Sequence, residues 1–128
     1  MKIAMAGIHV IDPMLAFGFY TKVLGFKEHT YMPEYNLAIV VSTEEPNGTA
    51  LLLEPSDNPI AKTYREGLYQ SGIPVIVFGV GDVQKEYLRL KELGVVFKDV
   101  PIKNEWGTQV IFDDGCGNYI QLHQPPGK

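Results

Sequence analysis

Val10-Ile11-Asp12-Pro13, leading into Phe19-Tyr20-Thr21-Lys22-Val23-Leu24-Gly25-Phe26, decides the fold. Asp12 is a carboxylate able to cap free amides, and Pro13 sits where its missing N–H does no harm, so a helix starts here. Met14, Phe17, Tyr20, Val23 and Leu24 recur at three- and four-residue spacing, and Gly25 supplies the left-handed residue that stops such a helix. Upstream, residues 3–10 alternate as a half-buried strand does, with Ala4, Ala6, Ile8 and Val10 on one face and Ile3, Met5, Gly7 and His9 on the other. Downstream come three strand-like runs, 26–32, 36–42 and 49–54, separated by Pro33-Glu34-Tyr35 and by Glu45-Pro46-Asn47-Gly48.

The same order returns in the second half. A strand over 73–80 leads to Asp82 as cap, then to a helix carrying Tyr87, Leu88, Leu90 and Leu93 that stops at Gly94. Strand-like runs follow at 95–98, 108–112 and 118–123. Val10-Ile11-Asp12 and Leu24-Gly25-Phe26 match Val80-Gly81-Asp82 and Leu93-Gly94-Val95 about 70 positions on, which points to a duplicated module. The expected organisation is a single domain over 1–128 made of two β-α-β-β-β modules. These occupy 1–54 and 73–124, with a linker over 55–72 and a tail over 125–128. Ile60, Tyr64, Leu68 and Tyr69 give the linker a short helix.

A chain of 128 residues, 45% hydrophobic and 20% charged, is long enough for one domain with a real core. Its net charge of -4 and scattered lysines and arginines exclude a phosphate-binding field, so nucleic acid is not an expected partner. No apolar run approaches the roughly 20 residues of a membrane helix. Cys116 is the single cysteine and cannot form an internal disulfide, which fits a cytoplasmic protein. Gly115-Cys116-Gly117 neither follows a strand nor opens a helix, so it is no dinucleotide fingerprint, and nothing charged beside Cys116 would activate the thiol.

Three segments resemble the vicinal oxygen chelate superfamily of glyoxalases, bleomycin-resistance proteins and extradiol dioxygenases. They are Val10 to Asp12 with Phe19 to Phe26, Leu51-Leu52-Leu53-Glu54-Pro55, and Phe112-Asp113-Asp114-Gly115-Cys116-Gly117-Asn118-Tyr119-Ile120-Gln121-Leu122. The resemblance implies an α+β fold of two curved sheets around a small-molecule cleft. It also implies a divalent metal, held in family enzymes by one residue from the first and one from the last strand of each module and acting as a Lewis acid. Carried over by motif, those positions are Met5, Glu54, Val75 and Gln121. Only Glu54 is a good ligand, so the family's metal site is expected to be incomplete and no cofactor is assigned.

His9 shares a strand face with Met5, and His123 shares one with Gln121. With Glu54 and Gln121 they form a displaced set able in principle to hold a metal or move protons. An alternative for the histidines is two isolated rings near strand ends, and for Glu54 a solvated strand-end carboxylate. Glu54 is the one candidate catalytic residue, because burial without a partner would make it a base. Trp106, Tyr31, Tyr35 and Tyr119 are candidates for an aromatic wall, with core or dimer packing as the equal alternative. Tyr64 and Arg65 are placed to close over a cleft. The expected ligand-binding set is therefore His9, Glu54, Trp106, Tyr119, Gln121 and His123.

The leading expectation is a homodimeric protein that binds a small organic molecule without the family's complete metal site. Two alternatives stand beside it: a glyoxalase-like lyase, isomerase or dioxygenase using the displaced metal, and a non-catalytic interaction module.

Overall fold

The Asp12 carboxylate accepts a hydrogen bond from the Met14 amide at 3.0 Å and so opens the first helix. In the computed structural model, which describes residues 1–127, that helix (α1, Pro13–Gly18) widens into a π-helical turn over Phe19–Val23 and stops at Gly25, where φ is +91°. The third helix (α3, Val83–Glu92) repeats the device. The Asp82 carboxylate accepts from the Lys85 amide at 3.1 Å, and Gly94 at φ +90° ends it. A side chain at either glycine would strain the backbone, so both stops are written in residue type.

The chain divides into two compact units, residues 1–66 and residues from Gly67 onward. In the first, β1 (Met5–Val10), β2 (Lys27–Met32), β3 (Leu37–Val41) and β4 (Ala50–Pro55) form a sheet in the order β1-β4-β3-β2. β1 and β4 are parallel and the other pairs antiparallel. In the second, β5 (Ile76–Gly79), β6 (Val96–Phe97), β8 (Gly107–Asp113) and β9 (Tyr119–Gln124) repeat that order as β5-β9-β8-β6, and β7 (Ile102–Asn104) also pairs with β8. The duplication read from sequence is thus present in the strand order itself.

Each sheet buries one face under its own helix. Ile8, Val10, Ala38, Val40 and Leu53 are buried with Ala16 and Tyr20 of the first helical segment. Val110, Phe112, Ile120 and Leu122 are buried with Val83, Tyr87 and Leu90 of α3, where the Phe97 ring meets Tyr87 edge-on at 4.7 Å.

Several expectations need correction. β1 begins at Met5 rather than at residue 3, and β5 at Ile76 rather than at residue 73. β7 was not foreseen: Ile102-Lys103-Asn104 is short and half polar, and only pairing with β8 makes it a strand. Leu88 and Leu93 do not join the core, because the buried stripe of α3 runs along 83, 87 and 90. The linker helix, α2 (Pro59–Gln70), leaves Ile60 and Tyr64 exposed and instead buries Arg65.

Candidate functional site

The face of the first sheet turned away from α1 is set by register. His9 pairs with Glu54 and Gly7 with Leu52 across β1 and β4, while Ile39 pairs with Leu52 across β3 and β4. Side chains alternate along strands, so Met5 and His9 flank Gly7 on this face beside Ala50, Leu52 and Glu54. Ile39, Val41 and Ala50 form a buried cluster with Leu37 and Leu52 packed against it. What this face leaves accessible is Met5 and Gly7, with half-buried Leu52, Glu54 and His9 beside them.

Glu54 is half-buried, and among the described residues its carboxylate makes no hydrogen bond or ion pair. It lies over Gly7, where a Cβ would meet Glu54 Oε2 at 2.6 Å. Nδ1 of His9 lies 3.2 Å from Pro55 O. A carbonyl can only accept, so Nδ1 carries a proton and donates to it. Met5, 45% exposed, ends the row with a thioether.

In the second unit the corresponding face carries Val77 and Gly79 from β5, Gln109, Ile111 and Asp113 from β8, and Tyr119, Gln121 and His123 from β9. Gln121 Nε2 donates to Gln109 Oε1 at 3.1 Å. Nε2 of His123 is 3.0 Å from Trp106 O, so this nitrogen carries a proton and donates to the carbonyl. Trp106 itself is 72% exposed. Val75 precedes β5 and donates its amide to Tyr119 O at 2.9 Å.

Sequence reasoning missed a cluster at the β6 end of this face. The Tyr69 hydroxyl, from the last turn of α2, donates to Asp113 Oδ2 at 2.5 Å, and its ring stacks on Tyr119 with centroids 4.7 Å apart. Lys98 Nζ sits 5.0 Å from the Tyr119 centroid and donates to Gly72 O at 3.2 Å. The hydrogen bond to Asp113, aided by desolvation and by that carboxylate's charge, pushes the Tyr69 pKa up from 10.0 to about 12. Tyr119, expected in an aromatic wall, stacks against Tyr69. Only its helical spacing singled out Tyr69 in the sequence.

The other aromatic candidates separate. Tyr31 turns toward the helix side and packs on Phe17 at 4.5 Å, so it is not on the Glu54 face, and Tyr35 is exposed on a 3-10 turn. Arg65 does not lie open as a lid residue: 7% exposed, it donates from Nε to Ser56 Oγ at 3.1 Å, and Ser56 donates to Val10 O at 3.0 Å. His29 sits at a bulge in β2 and is exposed beside Thr30 Oγ1. Cys116 is buried in a turn built on Asp114, whose Oδ1 accepts from the Cys116 and Asn118 amides at 2.7 and 3.0 Å. Among the described residues no helix is long and apolar enough to cross a membrane.

Two sheets of matching strand order, each with one helix-covered face, agree with the match of residues 2–122 to the Glyoxalase/Bleomycin resistance protein/Dioxygenase superfamily. The chain belongs to this superfamily. Within it, the chain is similar to the uncharacterised protein YurT of Bacillus subtilis (strain 168), 46% identical over 97% of this chain and 99% of that one. The crystal structure of UcmS2 superposes with a TM-score of 0.81 at 28% identity, over 96% of this chain and 97% of the other. TnmS3, described as an antibiotic binding protein from Streptomyces sp. CB03234, shares the fold at TM-score 0.74 and 24% identity, over 98% and 97% of the two chains.

Proposed function

We propose that this superfamily member binds a small organic molecule on the sheet faces turned away from the helices, without the superfamily's divalent metal. The observation that carries the reading is the accessible part of the first sheet's face, where exposed Met5 and Gly7 and half-buried Leu52 lie beside Glu54 and His9. Aliphatic surface with a few fixed polar groups is what an organic ligand needs: burial supplies affinity at roughly 25 cal/mol per Å², and the polar groups set orientation. TnmS3 gives a precedent for the fold in a protein described as antibiotic-binding.

The donors at the superfamily's metal positions do not fit the ion. Met5 offers a soft thioether, Val75 offers nothing, and the Gln121 amide is neutral and bonded to Gln109 through its nitrogen. Among the described residues no three His, Cys, Asp or Glu side chains gather as a ligand set. No step of the proposed function therefore runs through a metal. The proposal includes a cytoplasmic homodimer, which covering of open sheet edges would favour. Light scattering at working concentration checks the dimer.

The test is elemental analysis of protein purified without chelators, then thermal-shift titration with nickel, zinc, manganese and iron(II), and with a panel of aromatic and polyketide-like compounds. Saturable stabilisation by an organic compound and by no ion is expected. A stoichiometric metal whose effect is lost in Glu54→Ala would overturn the reading. It would favour instead a metal-dependent lyase, isomerase or dioxygenase.

A further inference from the structure

Gln109 of β8 and Gln121 of β9 are half-buried on the face of the second sheet turned away from α3, and Nε2 of Gln121 donates to Oε1 of Gln109 at 3.1 Å. Neither side chain makes another hydrogen bond among the described residues. The bond is not returned, so Gln121 Oε1 keeps its acceptor sites and Gln109 Nε2 its two N–H donors. No buried side-chain nitrogen or oxygen among the described residues lacks a partner, so these two unbonded atoms reach solvent. Turning both amides over exchanges the ends but still leaves one unbonded acceptor and one unbonded donor group. Register sets Val77 and Ile111 on either side of Gln121, the first 54% exposed and the second half-buried. Gly79 pairs with His123, which pairs with Gln109, and a Cβ at Gly79 would meet nothing within 4 Å. A donor and an acceptor thus adjoin accessible aliphatic surface, with open space at Gly79. The carboxylate on this face, Asp113, is already bonded to the Tyr69 hydroxyl and the Gly115 amide.

We infer that this face takes an uncharged cyclic amide, a lactam or imide whose adjacent N–H and C=O bond to Gln121 Oε1 and Gln109 Nε2 while its ring lies on Val77 and Ile111. The assignment rests on the small-molecule reading above and narrows it. A ligand must carry both a donor and an acceptor to satisfy the two amides. A carboxylate or an ester sets an acceptor against Gln121 Oε1, and an ammonium sets donors against Gln109 Nε2. An ion would also give up its hydration for two neutral groups.

Three probes with one bicyclic body test this: 2-quinolinone, its N-methyl derivative and coumarin, titrated calorimetrically into the full chain. The expected result is that 2-quinolinone binds about tenfold or more tighter than either of the others, which lack the N–H. Gln121→Leu and, separately, Gln109→Leu are expected to bring 2-quinolinone and coumarin within about twofold of each other. Gly79 has no positive φ and open space above it, so Gly79→Leu should fold while weakening all three probes about tenfold or more; circular dichroism establishes that each variant folds. Equal binding of 2-quinolinone and coumarin, a preference that survives in both glutamine variants, or undiminished binding in folded Gly79→Leu overturns the cyclic-amide assignment and leaves small-molecule binding standing. If no probe binds at millimolar concentration while a compound of the broader panel stabilises the protein, the assignment falls alone; if neither set binds, the small-molecule reading falls with it.

Discussion

Replacing Gly7 with alanine tests the geometry around Glu54 without touching the carboxylate itself. Gly7 lies in β1 with no positive φ, so alanine is allowed by the backbone. What opposes it is space: the new methyl would meet Glu54 Oε2 at 2.6 Å, whereas the next atoms, Glu54 Cδ at 3.4 Å and Leu52 O at 3.7 Å, are near ordinary contact. Glycine within a strand costs roughly 0.5–1 kcal/mol relative to alanine. Forcing Glu54 off its rotamer costs roughly 0.5–1.5 kcal/mol. The two nearly cancel, so Gly7→Ala alone should stay within about 1 kcal/mol of the parent in urea denaturation, a Tm change on the order of 4 °C or less. In a Glu54→Ala background the clash is gone and the same change should stabilise by roughly 0.5–1 kcal/mol. A double-mutant cycle should therefore give a coupling of about 1 kcal/mol between the two positions. Additivity within about 0.3 kcal/mol would refute the placement of the carboxylate over Gly7.

Raising pH should expose Tyr69: its pKa rises from 10.0 to about 12, so its neutral hydroxyl stabilises the fold fully below pH 10, and that contribution fades as pH climbs through about 12. Ultraviolet difference titration should show a tyrosinate transition near pH 12 that disappears in Tyr69→Phe. Asp114→Ala should destabilise by about 2–4 kcal/mol, because it orphans the Cys116 and Asn118 amides in a buried turn; Asp114→Asn, which keeps an acceptor, should lose less than half of that in the same urea titration. Ser56→Ala should cost about 1–3 kcal/mol in urea denaturation, since it removes an acceptor from the buried Arg65 and the donor to Val10 O.

The site divided unevenly between what could be read and what could not. Glu54 stood out because a carboxylate closing a run of three leucines is conspicuous, and strand alternation correctly put His9 with Met5 and His123 with Gln121. The two readings of Tyr31, aromatic wall or packing, stayed open because alternation cannot say which face a helix will cover when the strand, Lys27 to Met32, is exposed on both sides. Arg65 was misjudged because its burial depends on Ser56, which is itself held to Val10 from 46 residues away. The bond between Tyr69 and Asp113 joins residues 44 apart and left no local signal.

By itself the sequence determined the two modules, because caps at Asp12 and Asp82, stops at Gly25 and Gly94 and period-two strands are local physics repeated along the chain. It also determined that two of the superfamily's metal positions hold a thioether and an aliphatic group, since donor chemistry is a property of residue type. Only the tertiary structure decided that Glu54 lies over Gly7 without a partner among the described residues, that His9 Nδ1 donates a hydrogen bond to Pro55 O, and that Tyr69 is locked to Asp113. Each of these depends on strand register or on docking of α2, which arise from pairing between segments remote in the chain.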